Sequence, residues 1–411
     1  MIELVYFFFF FQIINFENLI GNTFNVAGFP VWTWIIYLFY IFTYISVLLY
    51  LIGKSDSQSN RLKIVFFISV VILIHSISLL NNTSVTIILR RSYHYVLPVF
   101  LYVVLYRCKY RYRSFWKFFK ILIILNTMIS IAFLTGLLGA ITNTSYISML
   151  SRSSTLIDGG LGIVSLAVGL YCLFYENDFY TRKESWLFIV AGVIITISGQ
   201  SRARLLTAFL VFITFYFIST IGKNRNTGKR FSWLSAGLLA ASVIIIVLII
   251  DGEKSNSILS QIFNRFQLMG SDNPSIYRVY ERETQLSVFY EHPILGGGWG
   301  AYEEIFVRDI YGVSKNVNNH NMYTTLLGYG GIFLGLAYLI WFGSVIGGII
   351  KRFQSNQIEK LNIILLISIL ILSYSSAGFG KSSMILAIAI IYVNINHYVF
   401  REYNEGWKSL K

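Results

Sequence analysis

The sequence predicts an all-α fold. It is a polytopic transmembrane helical bundle of about twelve spans, with one large extracytoplasmic loop that bears short helices. Three observations predict it. Apolar residues make up 55% of the 411-residue chain and charged residues only 13%, against about 25% charged in an ordinary soluble protein. Apolar runs of roughly 17–25 residues recur along the chain, each long enough to cross the hydrocarbon core of a bilayer. One long stretch, 251–319, is polar and carries charges of both signs. A transmembrane β-barrel is excluded, because its strands are short and alternate in polarity.

The candidate spans cover, in order, 2–20, 30–52, 62–80, 87–106, 118–140, 159–175, 186–200, 203–221, 232–250, 321–350, 361–377 and 382–400. Met1–Phe11 has neither a basic start nor a small-residue cleavage site, so it reads as the beginning of a first helix. The run 321–350 is longer than a straight span needs, which places its start outside the hydrocarbon. Three regions follow: an N-terminal bundle over 1–250 with about nine spans, the loop over 251–319, and C-terminal spans with a tail over 320–411.

Basic residues set the orientation. With the N-terminus in the cytoplasm, Lys54, Arg61, Lys63, the basic segment Arg107–Lys120, Arg182, Lys183, Lys223–Arg230, Lys351, Arg352, Lys360, Arg401, Lys408 and Lys411 all fall inside. The short outer connections hold only Arg90, Arg91, Arg152, Arg202, Arg204 and Lys381, as the positive-inside rule requires. Much of the net charge of +14 is therefore a topology signal and implies no nucleic-acid partner. The segment Arg107–Lys120, with interleaved Tyr, Phe and Trp, reads as a membrane-surface anchor. Cys108 and Cys172 sit in a basic loop and an apolar span, which does not suggest a disulfide or a metal site. The predicted orientation puts both termini in the cytoplasm and the large loop outside, where no ATP or nucleotide sugar is available.

The residues able to carry chemistry cluster toward that outer side. Arg202 and Arg204 stand at the mouth of two helices, where a charge must be paired or wet. Being two residues apart they point in nearly opposite directions, so at most one faces a central cavity. Arg278 and Arg282 are four apart and share a helical face, while Val279, Leu286, Phe289 and Tyr290 form another. Glu281 or Glu283 could pair these arginines structurally. Guanidinium forks suit phosphate oxygens. His292-Pro293-Ile294-Leu295-Gly296-Gly297-Gly298-Trp299-Gly300 follows, with glycines that permit close backbone approach but without the Gly-Lys-Ser/Thr ending of a P-loop. At the seam between loop and span lies His320, in Asn318-Asn319-His320-Asn321-Met322-Tyr323. A cap from Asn318 or Asn319 would leave a helix N-terminus, an anion site that favours neutral imidazole, beside it. The structural alternative is a histidine hydrogen-bonded at an interface. His75, His94 and His397 read as packing residues. No metal motif, nucleophile elbow or metal-binding Asp-x-Asp pair is present.

In combination these segments resemble the O-antigen ligase and polysaccharide polymerase superfamily. Ser201-Arg202 near the outer end of a helix, Arg278 upstream of His292–Gly298, and His320-Asn321 before Leu326–Leu336 match its pattern in order, over roughly 198–340. Arg282 stands where an aromatic is usual, and Gly300 follows Trp299 where a Gly-Pro-Gly-like turn is common. The N-terminal half carries no family signature.

The resemblance implies a GT-C-like bundle and a metal-independent, inverting glycosyltransferase with no cofactor. Its donor would be a glycan on undecaprenyl pyrophosphate. Arg202, Arg278 and His320 would be catalytic, with Arg204, Arg282, Asn321, His292 and Tyr323 binding substrate. Fixed arginines would stabilise the pyrophosphate leaving group, each such donor being worth about 3–4 kcal/mol. His320 would orient or deprotonate the acceptor hydroxyl, a contribution of roughly 10²–10⁴-fold. Implied partners are the lipid-linked donor, a glycan acceptor, the bilayer, a chain-length regulator and a flippase. Polymerisation of repeat units is the favoured activity. Transfer to lipid A-core is the alternative, and a flippase without chemistry is a further one.

Overall fold

The computed structural model describes residues 25–26, 29–52, 58–106, 112–135, 158–175, 180–198, 202–221, 273–302, 305–308, 314–316, 321–353, 356–374 and 382–409. The expected spans 2–20 and 232–250, the loop stretch 251–272 and His320 lie outside the described residues. The other apolar segments are helices: α1 (Val31–Ile52), α2 (Gln58–Leu80), α3 (Val85–Tyr106), α4 (Tyr112–Leu134), α5 (Gly160–Phe174), α6 (Arg182–Ser198) and α7 (Arg202–Ile221). After the loop helix α8 (Asn273–Glu291) come α9 (Met322–Arg352), α10 (Ile358–Tyr374) and α11 (Ser382–Ser409). Two small antiparallel hairpins add to the all-α expectation. They pair β1 (Asn25–Val26) with β2 (Phe29–Pro30), and β3 (Phe306–Arg308) with β4 (Ser314–Asn316).

By length and composition α2, most of α4 (Tyr112–Ala132) and α9 can each cross a membrane. The distribution of side chains supports the same reading. Large apolar residues such as Leu38, Leu62, Ile72, Val190, Leu206 and Leu339 point outward. The interior holds many small and polar groups, among them Ser46, Ser78, Ser130, Ser165, Asn126 and Asn362. In water this arrangement would waste burial energy. In lipid it is favourable, because association relies on close packing and hydrogen bonds.

Helix α5 is the central element, buried from Gly160 through Cys172 and surrounded by α6, α7, α10 and α11. A helix apolar all round belongs in such a position. It meets α6 at backbone distance: a Cβ on Gly162 would lie 2.4 Å from the carbonyl oxygen of Gly192. Ser165 Oγ then donates to the carbonyl of Phe188 across the same contact, at 2.8 Å.

Helix α6 begins four residues earlier than the apolar run. Thr181 and Glu184 form a reciprocal capping box: the Glu184 carboxylate accepts from the Thr181 amide at 2.7 Å, and Thr181 Oγ1 accepts from the Glu184 amide at 3.3 Å. Glu184 also pairs with Lys120 of α4. That hydrogen bond and the one from the Thr181 amide hold its carboxyl below the ordinary range.

The long run after the loop is one helix with a break. Gly331 has φ +57° and ψ −155°, a conformation reserved for glycine. From Ile332 to Arg352 the helix is about 32 Å long at 1.5 Å per residue, enough to span by itself. The first turns of α9 are thereby freed to pack against the loop helix α8.

Candidate functional site

Among the described residues, Arg278, Arg282, His292, Asn321 and Tyr323 lie at one end of the bundle, where the loop helix α8 packs on the first half of α9. Helix α8 presents three stripes at 100° per residue. Tyr277, Glu281, Gln285 and Val288 face the protein and are buried. Arg278 and Arg282 flank that stripe, as their four-residue spacing requires. Opposite the buried stripe, Val279 and Tyr290 are exposed. The apolar face expected from the sequence thus looks away from the bundle. The inward stripe is partly polar, and apolar periodicity does not reveal it.

Arg282 reaches α10, where its Nη1 donates to the Tyr374 hydroxyl at 2.7 Å and its guanidinium lies 5.7 Å from that ring centre. Tyr323, in the first turn of α9, donates its hydroxyl to the carbonyl of Leu370 at 2.9 Å. The two contacts tie α8, α9 and α10 around the arginine stripe. Thr324 Oγ1 also donates to Gln285 Oε1, locking α8 to the start of α9.

The cap of α9 differs from the expectation. It is Asn321, with extended backbone at φ −131° and ψ 113°, and not Asn318 or Asn319. Its Oδ1 accepts from the Tyr323 amide at 3.0 Å and the Thr324 amide at 3.3 Å. The helix starts at Met322, so only Asn321 stands at the position from which a side chain reaches those amides. Two of the amides expected to greet an anion are therefore occupied, which weakens the helix-terminus argument for an anion site. Asn321 itself is buried. His320 immediately precedes it in the chain but lies outside the described residues.

The glycine-rich run proves to be the fastener of the loop. Gly297 and Gly298 donate to the carbonyls of Gly328 and Tyr329 at 2.8 and 3.0 Å. The amides of Ile332 and Phe333 donate to Pro293 and Ile294 at 2.9 and 3.3 Å. The break at Gly331 releases these helix groups, and the loop satisfies them in the manner of a strand. The Trp299 side chain is fully buried, its ring centre 5.7 Å from that of Tyr95 and 5.4 Å from that of Tyr329. Its amide donates to Ser78 Oγ at 2.8 Å. His292 is exposed at the C-terminal end of α8; its amide donates to Val288 and its carbonyl accepts from Gly296.

Of the two arginines on α7, Arg204 turns inward and forms a buried ion pair with Asp158 at 3.2 Å. Asp158 also accepts from the amides of Gly160 at 3.1 Å and Ser383 at 2.9 Å, binding the starts of α5, α7 and α11 together. The side chain of Arg202 lies outside the described residues. Sequence reasoning missed Asp158 as a partner. The signal was its position just before the Gly159-Gly160 helix start, a capping place for an acid. It also missed Gln285 and Tyr374, which no local pattern marks. Among the described residues, no group of three or more His, Cys, Asp or Glu side chains could hold a metal ion.

His75 and His94 stand in α2 and α3. His75 Nδ1 lies 2.6 Å from the carbonyl of Val71 and the ring meets Trp299, so it serves packing. His397 stacks on Tyr112 with ring centres 3.9 Å apart.

Fold and site together define an integral-membrane helical bundle with a polar loop seated across one end. Over residues 187–339 the chain matches the model of the family described as O-antigen ligase. That range takes in most of α6, then α7, α8, the glycine fastener and the first half of α9, and it supports the family resemblance read from the motifs at 198–340. A search among curated proteins finds no match.

Proposed function

We propose that this protein is a membrane glycosyltransferase that polymerises undecaprenyl-pyrophosphate-linked repeat units into surface polysaccharide on the outer face of the plasma membrane. The observation that carries this reading is the arginine stripe of α8, fixed against α9 and α10 inside the segment that matches the O-antigen ligase family.

The chemistry needs only groups of this chain. The acceptor hydroxyl attacks the anomeric carbon of the donor, and the bond from that carbon to the pyrophosphate oxygen breaks. Negative charge accumulates on the leaving pyrophosphate, where Arg202 and Arg278 stabilise it and Arg282 assists. His320 takes the proton of the acceptor hydroxyl. One displacement inverts the anomeric centre. Arg204 supports this site through its ion pair, Asn321 by holding the start of α9, and Tyr323 and His292 by lining the approach.

The test is chain extension by purified protein supplied with lipid-linked repeat units. Arg278→Ala is expected to lower the rate by about 10²–10³-fold, the cost of removing one preorganised donor to a developing anion, and His320→Ala by roughly 10²–10⁴-fold. Full chain extension by both variants would sink the assignment. The description of the matched family favours a second reading, transfer of the finished glycan to lipid A-core. A deletion strain separates the two. Loss of a polymerase leaves single-repeat glycan on the surface, whereas loss of a ligase strands lipid-linked polymer.

A further inference from the structure

The far end of α9, the end away from the loop, opens into a cleft of about 230 Å³ between α2, α3, α9 and α11. A single water occupies about 30 Å³ of liquid, so the cleft has room for a larger guest. Its lining changes character along its length. Trp341, Val345 and Ile395 supply an apolar wall, and Lys63, Arg352 and Asn396 stand toward the helix ends. From Trp341 to Arg352 is about 16 Å along the helix axis. No carboxylate is among the described lining residues. Lys63 has no ion-pair partner among the described residues. Arg352 is anchored by Glu359, which accepts from its Nε at 2.7 Å.

Two buried groups within the walls of the cleft are unsatisfied. The Asn396 side-chain amide nitrogen and the Tyr392 hydroxyl have no hydrogen-bond partner among the described residues, although these residues are only 6% and 1% exposed. A buried donor left in that state costs free energy that a guest acceptor would return. Lys63, Asn396 and Tyr392 all offer protons. A guest rich in acceptor oxygens and negatively charged fits them, and a neutral sugar does not explain the cation.

We propose that this cleft binds the headgroup of a membrane phospholipid of net negative charge, with its phosphate at Lys63 and Asn396 and the first acyl segment along Trp341 and Val345. Such a site lies on the membrane face opposite the glycan site and is independent of the glycosyl-transfer reading. Basic pockets between transmembrane helices take anionic lipids in this manner. The graded lining, apolar then basic, favours an amphiphile over a soluble anion.

The experiment is native mass spectrometry of the purified full-length protein, delipidated and titrated with phosphatidylglycerol or with phosphatidylcholine of the same chains. One tight equivalent of phosphatidylglycerol is expected, retained where phosphatidylcholine is lost. Lys63→Gln should weaken it about tenfold, as loss of a charge-assisted hydrogen bond implies. Tyr392→Phe, which removes one oxygen and keeps the packing, should weaken it several-fold. Equal retention of both lipids by the wild type, or unchanged phosphatidylglycerol affinity in a folded Lys63→Gln, overturns the proposal. A parallel arm adds inorganic phosphate. Failure to displace the lipid is the expected result, and displacement at millimolar phosphate would reassign the cleft to a soluble anion.

Discussion

At the scale of single residues, Arg204 on α7 shows how little a charge reveals without its surroundings. Arg204 belongs to a buried pair with Asp158, which in turn holds the backbone starts of α5 and α11. Breaking one side of such a pair costs about 3–5 kcal/mol, because the remaining charge loses its counter-ion. Asp158→Ala is therefore expected to lower the unfolding midpoint strongly in detergent. Asp158→Ala combined with Arg204→Leu should lose less than Asp158→Ala alone, despite carrying one more substitution. A double variant at least as unstable as the single one would contradict the pairing account. On α8, Arg278 is exposed and Arg282 is half-buried, with its guanidinium donating to the Tyr374 hydroxyl.

At the scale of elements, the break in α9 and the glycine run before it form one device. The helix gives up two amides and two carbonyls around Gly331, and Pro293 to Gly298 take them up. A Cβ on Gly331 would lie 2.4 Å from the carbonyl oxygen of Ile294 in a backbone conformation unfavourable for any other residue. Gly331→Ala should destabilise the protein by more than the roughly 1–3 kcal/mol of such strain alone, since backbone cannot move aside cheaply. Gly347→Ala, on the same helix with nothing within 4 Å of the new methyl group, is the control and should melt at or above the wild type. Thermal unfolding of the two purified variants checks this. Similar melting of both would show that the loop is not fastened at Gly331.

At the scale of the whole molecule, the two ends of the bundle differ. One end carries the arginine stripe, the cap of α9 and the fastened loop. The other gathers Lys63, Arg352, Lys360 and the Lys120–Glu184 pair, where Lys360 also lies 4.5 Å from the ring centre of Tyr175. The positive-inside rule assigns the second end to the cytoplasm. The prediction is a labelling pattern in a Cys108→Ser background, with Cys172 buried and inert. A cysteine at exposed Tyr290 should react with an impermeant maleimide in spheroplasts, and one at exposed Lys351 only after the membrane is opened. The reverse pattern would invert the orientation and remove the outer-face chemistry with it.

Helix identity was legible in the chain because a bilayer demands long apolar runs, and those runs survive in α1 to α7 and α9 to α11 with ends shifted by up to six residues, and by nine at the C-terminal end of α11. The shifts have causes that apolarity cannot register: the Thr181–Glu184 box starts α6 early, and Asn321 rather than its neighbours caps α9. The site residues were legible as types and spacings, Arg278 with Arg282 on one face above all. Their partners were not, because Tyr374, Asp158 and Gln285 are distant in sequence from the groups they hold. Composition and periodicity by themselves determined a membrane bundle with a polar loop. Tertiary structure alone decided which arginine is buried in an ion pair and which is offered outward, since that depends on what each helix packs against.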